Sequence, residues 1–398
     1  MNADTAAFIR EHLRDDVGQL ALRLGGRDDA PFILRQVEAW QRLRHKVPSW
    51  VAVDELHYPP RLALEQCSGE EAAIYKYAIV QRLFPGGGGV FADLTGGLGV
   101  DFSFIARHFR QAVYVERDAA LCALARHNFP LLGLEKAEIV QAEAGEYLQS
   151  LTGEGRLDLV VLDPARRDVA GRKVAALGDC SPDVAGLWGS LQERARCVML
   201  KLSLMLDITE LLRQLPGVGE VHVVGSGGEC KELVCVADFR TGLSLACDEV
   251  AITCCDTRFS FAFTRQEERA ATPRYATGVG RYVYDPSPVL LKAGPWNLVA
   301  ARYGVEKLAP LAHLYTSDTL VENFPGRTFR VATVTGCGRR DTARLSGTSA
   351  NLAVRGFPAT VAELRKRWRL GEGGDRFLFA TVSATGEKLL INAARHIP

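Results

Sequence analysis

The sequence lacks the long apolar run that would direct a chain into a membrane, and its first residues are not expected to form a secretory leader. No apolar stretch approaches the ~18 residues that a membrane-spanning helix needs. The first residues include Arg10, Glu11 and Asp15, and this density of charge is untypical of a secretory signal. Both absences predict a cytoplasmic protein with no membrane partner.

The chain also lacks a Cys-x-x-Cys pair, although it contains ten cysteines. Zinc ribbons are built from such pairs, so the spacing argues against one, and no metal site is expected. A metal site or a disulfide is still conceivable at two places, the neighbours Cys254 and Cys255 and the pair Cys230 and Cys235. Apolar surroundings and the predicted compartment favour buried, reduced thiols.

An excess of charge of one sign is absent from the whole chain but present locally. The 398 residues carry 48 Lys and Arg against 47 Asp and Glu, and a hydrophobic fraction of 47% is ordinary for a globular protein of two or three domains. Residues 326–398, however, hold 13 basic and 5 acidic side chains, a net charge of +8, whereas the other residues hold 35 and 42, a net charge of −7. A small basic module on an acidic body favours binding to a phosphate backbone.

The spacing of apolar residues predicts four parts. Residues 1–84 have helical spacing. Residues 85–270 alternate short apolar strands with helices, which predicts an α/β architecture with a mostly parallel sheet covered on both faces. The seven predicted strands are 90–94, 112–116, 137–141, 157–163, 197–202, 220–225 and 233–238. A small α+β domain over 275–320 and a basic domain over 326–398 follow.

Two capping-box patterns mark the expected starts of helices. Ser68 is followed three residues later by Glu71, ahead of the last helix of the N-terminal region. Thr360 and Glu363 repeat the pattern inside the basic domain. Each pattern predicts a helix that begins directly after its serine or threonine.

The sharpest motif is a glycine-rich loop between the first predicted strand and the next helix. The polar residues and the glycines of this motif are Asp93, Thr95, Gly96, Gly97, Gly99 and Asp101. A dinucleotide fingerprint would need a third glycine where Phe102 stands, and an acid ahead of the glycines suits a cationic ammonium group better than a pyrophosphate. Glu116 ends the second strand, where a Rossmann-like fold holds the carboxylate that binds ribose hydroxyls. A nicotinamide-dependent enzyme is therefore disfavoured.

This arrangement resembles the class I S-adenosylmethionine-dependent methyltransferases, with Asp93, Gly97, Gly99 and Glu116 matching the first two motifs. The resemblance implies a Rossmann-like, seven-stranded methyltransferase sheet and S-adenosylmethionine as the cofactor. It implies further that the loop holds the methionine part and that the second-strand acid binds the ribose. The cofactor residues it implies are Asp93, Thr95, Gly96, Gly97, Gly99, Asp101, Glu116 and Arg117, with Glu143 and Ala144 at the adenine.

The fourth predicted strand ends in Asp163-Pro164-Ala165-Arg166, which places a carboxylate at the ligand-binding edge of a parallel sheet. The motif resembles the Asp-Pro-Pro-Tyr/Phe and Asp-Pro-Pro-Arg motifs of methyltransferases that act on amino groups and on RNA. The resemblance implies that Asp163 and Pro164 position an acceptor amine. Arg166 stands where an aromatic residue is usual, so base stacking at that position is unsupported, and the arginine is expected to hold substrate instead.

The C-terminal third resembles the small ferredoxin-like and THUMP-like domains that end a family of bacterial proteins interpreted as methyltransferases. The quoted segments are Tyr282-Val-Tyr-Asp-Pro286 and the runs around Arg355, Leu364 and Phe379. The resemblance implies a structured RNA partner, tRNA or rRNA. The expected RNA-binding side chains are Arg339, Arg340, Arg355, Arg365, Lys366 and Arg367.

Three functions stay open on the sequence alone. The first is methylation of a base in structured RNA, with an exocyclic nitrogen as the favoured acceptor. The second is RNA binding by a protein that keeps the methyltransferase fold without catalysis, because the aromatic residue of the fourth-strand motif is missing. The third is methylation of a small molecule, which the basic domain makes less favoured.

Overall fold

The computed structural model describes residues 3–152, 155–166, 177–242 and 245–396. The chain forms two compact units. Unit 1 holds Met1–Gly219 and Leu233–Ser244, and unit 2 holds Glu220–Glu232 and Leu245–Pro398. In the described ranges no helix is long and apolar enough to cross a membrane.

Unit 1 begins with six helices: α1 (Ala3–His12), α2 (Val17–Arg23), α3 (Ala30–Leu43), α4 (Pro48–Val51), α5 (Arg61–Gln66) and α6 (Glu70–Leu83). The apolar faces of α1, α2 and α3 meet in a small core that includes Leu20 and Val37. The predicted capping box at the start of α6 is wrong. Gly69 is the N-cap and makes no side-chain cap bond, while Ser68 donates to a carboxylate of the glycine loop instead.

The strands that follow are β1 (Gly88–Asp93), β2 (Phe109–Glu116), β3 (Glu138–Gln141), β4 (Leu157–Leu162), β5 (Ala165–Arg166), β6 (Cys180–Ser181), β7 (Ala195–Leu202), β8 (Val218–Ser226) and β9 (Glu229–Asp238). Between them lie α7 (Val100–Ile105), α8 (Ala119–Leu131), α9 (Ala144–Ser150), α10 (Val184–Arg194) and α11 (Ile208–Gln214). All seven predicted strands are present, and β5 and β6 form a separate two-stranded pair.

The sheet of unit 1 has the hydrogen-bonded order β9-β7-β4-β1-β2-β3. Its pairs are parallel except β7 with β9, which are antiparallel, as expected for a mostly parallel sheet. Central strands are largely apolar because helices cover both faces of a parallel sheet, and residues 159–162 of β4 form a continuous apolar run. The register aligns Asp93 with Tyr114 on β2 and with Val161 on β4. Glu116 and Asp163 each lie two residues beyond these partners, so three acids gather at one edge.

Unit 2 contains β8, β10 (Ala251–Asp256) and β11 (Phe259–Phe263), followed by α12 (Arg265–Ala270), β12 (Tyr282–Pro286), α13 (Pro288–Ala293), α14 (Trp296–Tyr303), β13 (Glu306–Lys307), β14 (Tyr315–Ser317), β15 (Gly326–Gly336), α15 (Arg339–Thr342), β16 (Asn351–Arg355), α16 (Val361–Trp368), β17 (Arg376–Val382) and β18 (Lys388–Arg395). β10 pairs with β8 in parallel and with β11 in antiparallel. The α/β class is confirmed, and β10 and β11 are two strands beyond the seven predicted.

The remaining strands of unit 2 form one seven-stranded sheet in the order β13-β14-β12-β15-β18-β17-β16. One face packs in a core around Val283, Phe329 and Phe379. The other face packs beneath α16 through Leu364 and Trp368. The capping box of α16 is confirmed, since Thr360 and Glu363 exchange hydrogen bonds with each other's backbone.

Candidate active site

The glycine loop joins β1 to α7 with a backbone that only glycine allows at two positions. A Cβ on Gly96 would lie 2.1 Å from the ring of Tyr114, so a side chain there would force the loop outward. Gly99 has a φ of 86°, the left-handed region that glycine adopts without strain, and it starts α7. The loop therefore passes tightly over β2, as the motif predicts.

Asp93 lies at the end of β1 and is 4% exposed. Its Oδ1 accepts a hydrogen bond from the backbone of Thr95 at 3.0 Å. Burial raises the pKa of the Asp93 carboxyl to about 8, and the charges of Asp101, Asp163 and Glu116 add to the shift. A cationic ligand group beside this carboxyl would act against both the burial and the neighbouring negative charges, and would lower the pKa of Asp93.

Glu116, at the end of β2, faces the loop. One carboxylate oxygen accepts from the Gly97 backbone at 2.9 Å, and the other accepts from the Asp118 backbone at 2.9 Å. These bonds hold the carboxylate at the strand tip, where the resemblance places the ribose-binding acid. Tyr114 donates its hydroxyl to the carbonyl of Gly97, so both backbone polar groups of this glycine are held by side chains of β2.

Asp101, in the first turn of α7, is bound by the helical region. The ammonium of Lys76, which is completely buried on α6, lies 2.9 Å from Oδ2 of Asp101, and Ser68 donates to the same oxygen at 2.7 Å. Oδ1 of Asp101 is buried and has no hydrogen-bond partner among the described residues. A buried acceptor of this kind is available to a ligand donor.

Asp163 follows β4 and is tied to the same loop. Its backbone N–H donates to the hydroxyl of Thr95 at 2.6 Å. Its carboxylate is paired with the ammonium of Lys201 on the neighbouring strand β7. The carboxylate is 42% exposed while the lysine is 14% exposed, so a restrained acid faces outward beside the glycine loop.

The other predicted site residues include Arg117, Glu143, Pro164 and Arg166. Glu143 caps α9 through a capping box with Glu146, and Arg117 lies 3.6 Å from it in an exposed ion pair. Pro164 is buried directly after Asp163. The backbone of Arg166 pairs with β6, and its side chain lies outside the part of the chain that the structure describes.

The expected RNA-binding residues divide into two groups. Arg339, Arg340, Lys366 and Arg367 are exposed. The guanidinium of Arg355 instead pairs with the buried carboxylate of Asp285, at 2.8 Å and 3.2 Å.

Arg365 is held in a similar way. It donates to the carbonyls of Gly371 and Ala350, at 2.6 Å and 3.1 Å. Arg355 and Arg365 therefore stabilise the fold of unit 2, and their positive charges are partly committed to these contacts.

Sequence reasoning missed Lys76 and did not connect Lys201 to Asp163. A single lysine within the helical pattern of α6 was the available signal for the first. The partners of both lysines are distant in sequence, so spacing could not identify them. In the described ranges no group of three or more His, Cys, Asp or Glu is arranged to hold a metal ion.

Comparison with known proteins is consistent with this geometry. Residues 282–325 match a family model described as a ferredoxin-like domain, and residues 326–395 match one described as THUMP domain-like. A crystal structure from Porphyromonas gingivalis W83, described as a candidate methyltransferase, is 33% identical, covers 99% of this chain and 98% of that chain, and has a TM-score of 0.84.

Two relatives from Mycobacterium tuberculosis, one each from strains CDC 1551 and H37Rv, are named as uncharacterized S-adenosylmethionine-dependent methyltransferases. Each is 25% identical over 363 residues, which cover 88% of this chain and 89% of the relative. The resemblance found in the sequence is confirmed, together with its cofactor. The chain belongs to the class I S-adenosylmethionine-dependent methyltransferases that carry a THUMP-like domain at the C-terminus.

Proposed function

We propose that the protein methylates an exocyclic amino nitrogen of a base in structured RNA, either tRNA or rRNA. The observation that carries the proposal is the tie between Asp163 and Thr95 of the cofactor loop. This tie holds an outward-facing carboxylate beside the loop that binds the cofactor. A carboxylate so placed is suited to an amine acceptor, because it accepts an N–H and directs the nitrogen lone pair.

The acids around the loop suit the proposed binding of S-adenosylmethionine, which supplies an activated methyl group on a sulfonium. Even without Asp93, the three carboxylates of Asp101, Glu116 and Asp163 outnumber the two lysines that pair with Asp101 and Asp163, so the site favours a cationic ligand. We assign the ribose hydroxyls to Glu116. Asp93 and the unpartnered Oδ1 of Asp101 are assigned to the ammonium group.

Lys201 is assigned a positioning role. Its ammonium pairs with Asp163 from the neighbouring strand, and its own side chain is largely buried. The pair fixes the direction of the carboxylate before substrate arrives. Because the Asp163 carboxylate remains 42% exposed, an acceptor amine can still donate to it.

The RNA part of the proposal depends on the C-terminal domain. Residues 326–398 carry a net charge of +8, and Arg339, Arg340, Lys366 and Arg367 are exposed on it. Phosphate contacts of this kind supply affinity that falls steeply with salt. We therefore expect RNA affinity to decrease when these four side chains are neutralised together, and to decrease at higher ionic strength.

The test is transfer of a labelled methyl group from S-adenosylmethionine to total RNA from a strain that lacks this protein. Wild type should label RNA, and Asp163→Ala should lower the rate at least 100-fold while cofactor affinity stays within about threefold. The exposed Asp54→Ala is the matched control and should retain wild-type activity.

Mass spectrometry of the digested nucleosides identifies the acceptor atom. A methyl group on an exocyclic nitrogen supports the proposal, whereas one on carbon or ribose contradicts the assigned role of Asp163. If RNA stays unlabelled while the protein still binds the cofactor, the proposal that RNA is the substrate is contradicted. If the same protein still binds RNA, the result favours a non-catalytic RNA-binding role.

A further inference from the structure

We propose that the open face of the seven-stranded sheet in unit 2 binds a single-stranded segment of the RNA substrate. The proposal rests on the proposed function, since it names where and in what form the RNA is held. It concerns one row of side chains that crosses the sheet, here called the open row. Its members are Ser317, Tyr282, Arg330, Ala394 and Arg376.

The strand register places the whole open row on one face. Tyr282 is paired with both Ser317 and Arg330, on the two neighbouring strands. Ala394 is paired with Arg330 on one side and with Arg376 on the other. Paired residues project to the same side of a sheet, and strands lie ~4.8 Å apart. The row therefore spans roughly 14 Å from Tyr282 to Arg376, enough for a few nucleotides of an extended strand.

The row is open to solvent between two covered regions. Arg330 and Ala394 are exposed, and Tyr282 and Arg376 are half-buried. The alanine leaves a shallow space between the two arginines. Next to the Arg376 end of the row, α16 covers the same face. Next to the Tyr282 end, fully buried tyrosines such as Tyr284 fill it. The result is a trough with one aromatic side chain and two cationic ones.

Two polar atoms on this face point to a ligand that has both a donor and an acceptor. Nε of Arg376 and Oδ1 of Asn392 are buried and have no hydrogen-bond partner among the described residues. Asn392 is paired with Leu378, which places it on the same face as Arg376 and on the adjacent strand. Buried groups of this kind are normally satisfied, so a partner is expected. The edge of an unpaired base offers a donor beside an acceptor.

Tyr282 provides a surface for stacking. Its ring packs against the ring of His396, with centroids 6.2 Å apart and an interplanar angle of 78°. Single-stranded RNA is recognised through aromatic stacking and through hydrogen bonds to base edges, whereas the bases of a duplex are stacked on each other and closed to both. The acids closest in sequence to the row, Asp318 and Asp375, lie at its two ends, and Asp318 accepts from the backbone of Arg281. The centre of the row is therefore cationic.

The experiment measures the affinity of the full-length protein for a fluorescein-labelled single-stranded RNA 12-mer of mixed sequence by anisotropy. The same 12-mer annealed to its complement is the second probe. Arg330→Glu is compared with Arg395→Glu, which makes the same charge change on the adjacent strand but on the opposite face, since Arg395 is paired with Phe329. Thermal unfolding of each variant verifies that it is folded.

We expect Arg330→Glu to weaken single-strand binding at least tenfold, and Tyr282→Leu to weaken it roughly fivefold or more. Arg395→Glu should change it less than threefold, and the duplex should bind more weakly than the single strand. Equal losses for Arg330→Glu and Arg395→Glu overturn the proposal, because the effect is then general charge. Tighter binding of the duplex overturns it as well.

The methyl-transfer assay on the same preparations separates this inference from the proposed function. If the wild type methylates RNA but the open-row variants bind the single strand as tightly as the wild type does, the inference is contradicted and the proposed function is supported. If single-strand binding depends on the open row but no RNA is methylated, the binding surface is supported and the proposed function is contradicted.

Discussion

The buried carboxyl of Asp93 should make the stability of unit 1 depend on pH in a way that one substitution removes. Asp93→Asn is nearly isosteric, cannot ionise, and keeps an oxygen that can accept the Thr95 backbone hydrogen bond. The pKa of Asp93 is about 8 in the fold and 3.8 as the ordinary value. Between these pH values the folded protein holds a proton that the unfolded chain has lost.

Because the folded state binds more protons in this window, the stability that Asp93 contributes is fully present below pH 3.8 and is lost as the pH rises through about 8. One pKa unit corresponds to 1.36 kcal/mol. Between pH 5 and pH 9 the wild type should therefore lose about 4 kcal/mol that the variant keeps. This value is an upper bound, since a buried carboxylate can recruit water.

The assay is urea unfolding at pH 5, 7 and 9 without cofactor, followed by the fluorescence of the tryptophans of unit 1. The free energy of unfolding of Asp93→Asn, relative to wild type, should rise steadily across this range. Asp54→Asn, which changes an exposed carboxylate, is the control and should show no such trend. Parallel curves for wild type and Asp93→Asn would refute the assignment of a raised pKa to this residue.

Three further variants, one of them with a matched control at Gly189, test other parts of the structure. Gly96→Ala should destabilise unit 1 by about 1–3 kcal/mol and abolish cofactor binding by calorimetry, because its Cβ would meet the Tyr114 ring. Gly189→Ala, whose Cβ has open space on α10, should be neutral or stabilising by up to ~1 kcal/mol. Lys76→Met should cost roughly 3–5 kcal/mol in thermal or urea unfolding, since it leaves the Asp101 carboxylate buried without its cation. Asp285→Ala should cost about 3 kcal/mol in unit 2, and an unchanged melting temperature would contradict the ion-pair role given to it.

Much of the candidate site was predictable because it depends on local sequence. A strand, a glycine turn and a helix follow one another along the chain, and an acid at a strand tip needs only the strand to be identified. Asp93, Glu116 and Asp163 were therefore placed correctly at one edge of the sheet. Thr360 and Glu363 were predictable for the same reason, since a capping box is formed within four residues.

Contacts between distant segments were not predictable. Ser68 fits the capping-box pattern, yet it bonds to Asp101, 33 residues away. Arg355 belongs to a basic domain by count, but a buried acid 70 residues earlier binds its guanidinium. Counting charges along the chain cannot separate a free cation from one that a buried partner holds.

The class of fold, the glycine loop and the segregation of charge could be predicted from the chain alone, because they follow from periodicity, spacing and composition. Which charges are available became visible only in the folded protein. It pairs Lys201 with Asp163, Lys76 with Asp101, and Asp285 with two arginines. It also aligns Tyr282, Arg330 and Arg376 from three separated strands on one open face. Burial and strand register set these pairings, and both arise only when the chain is folded.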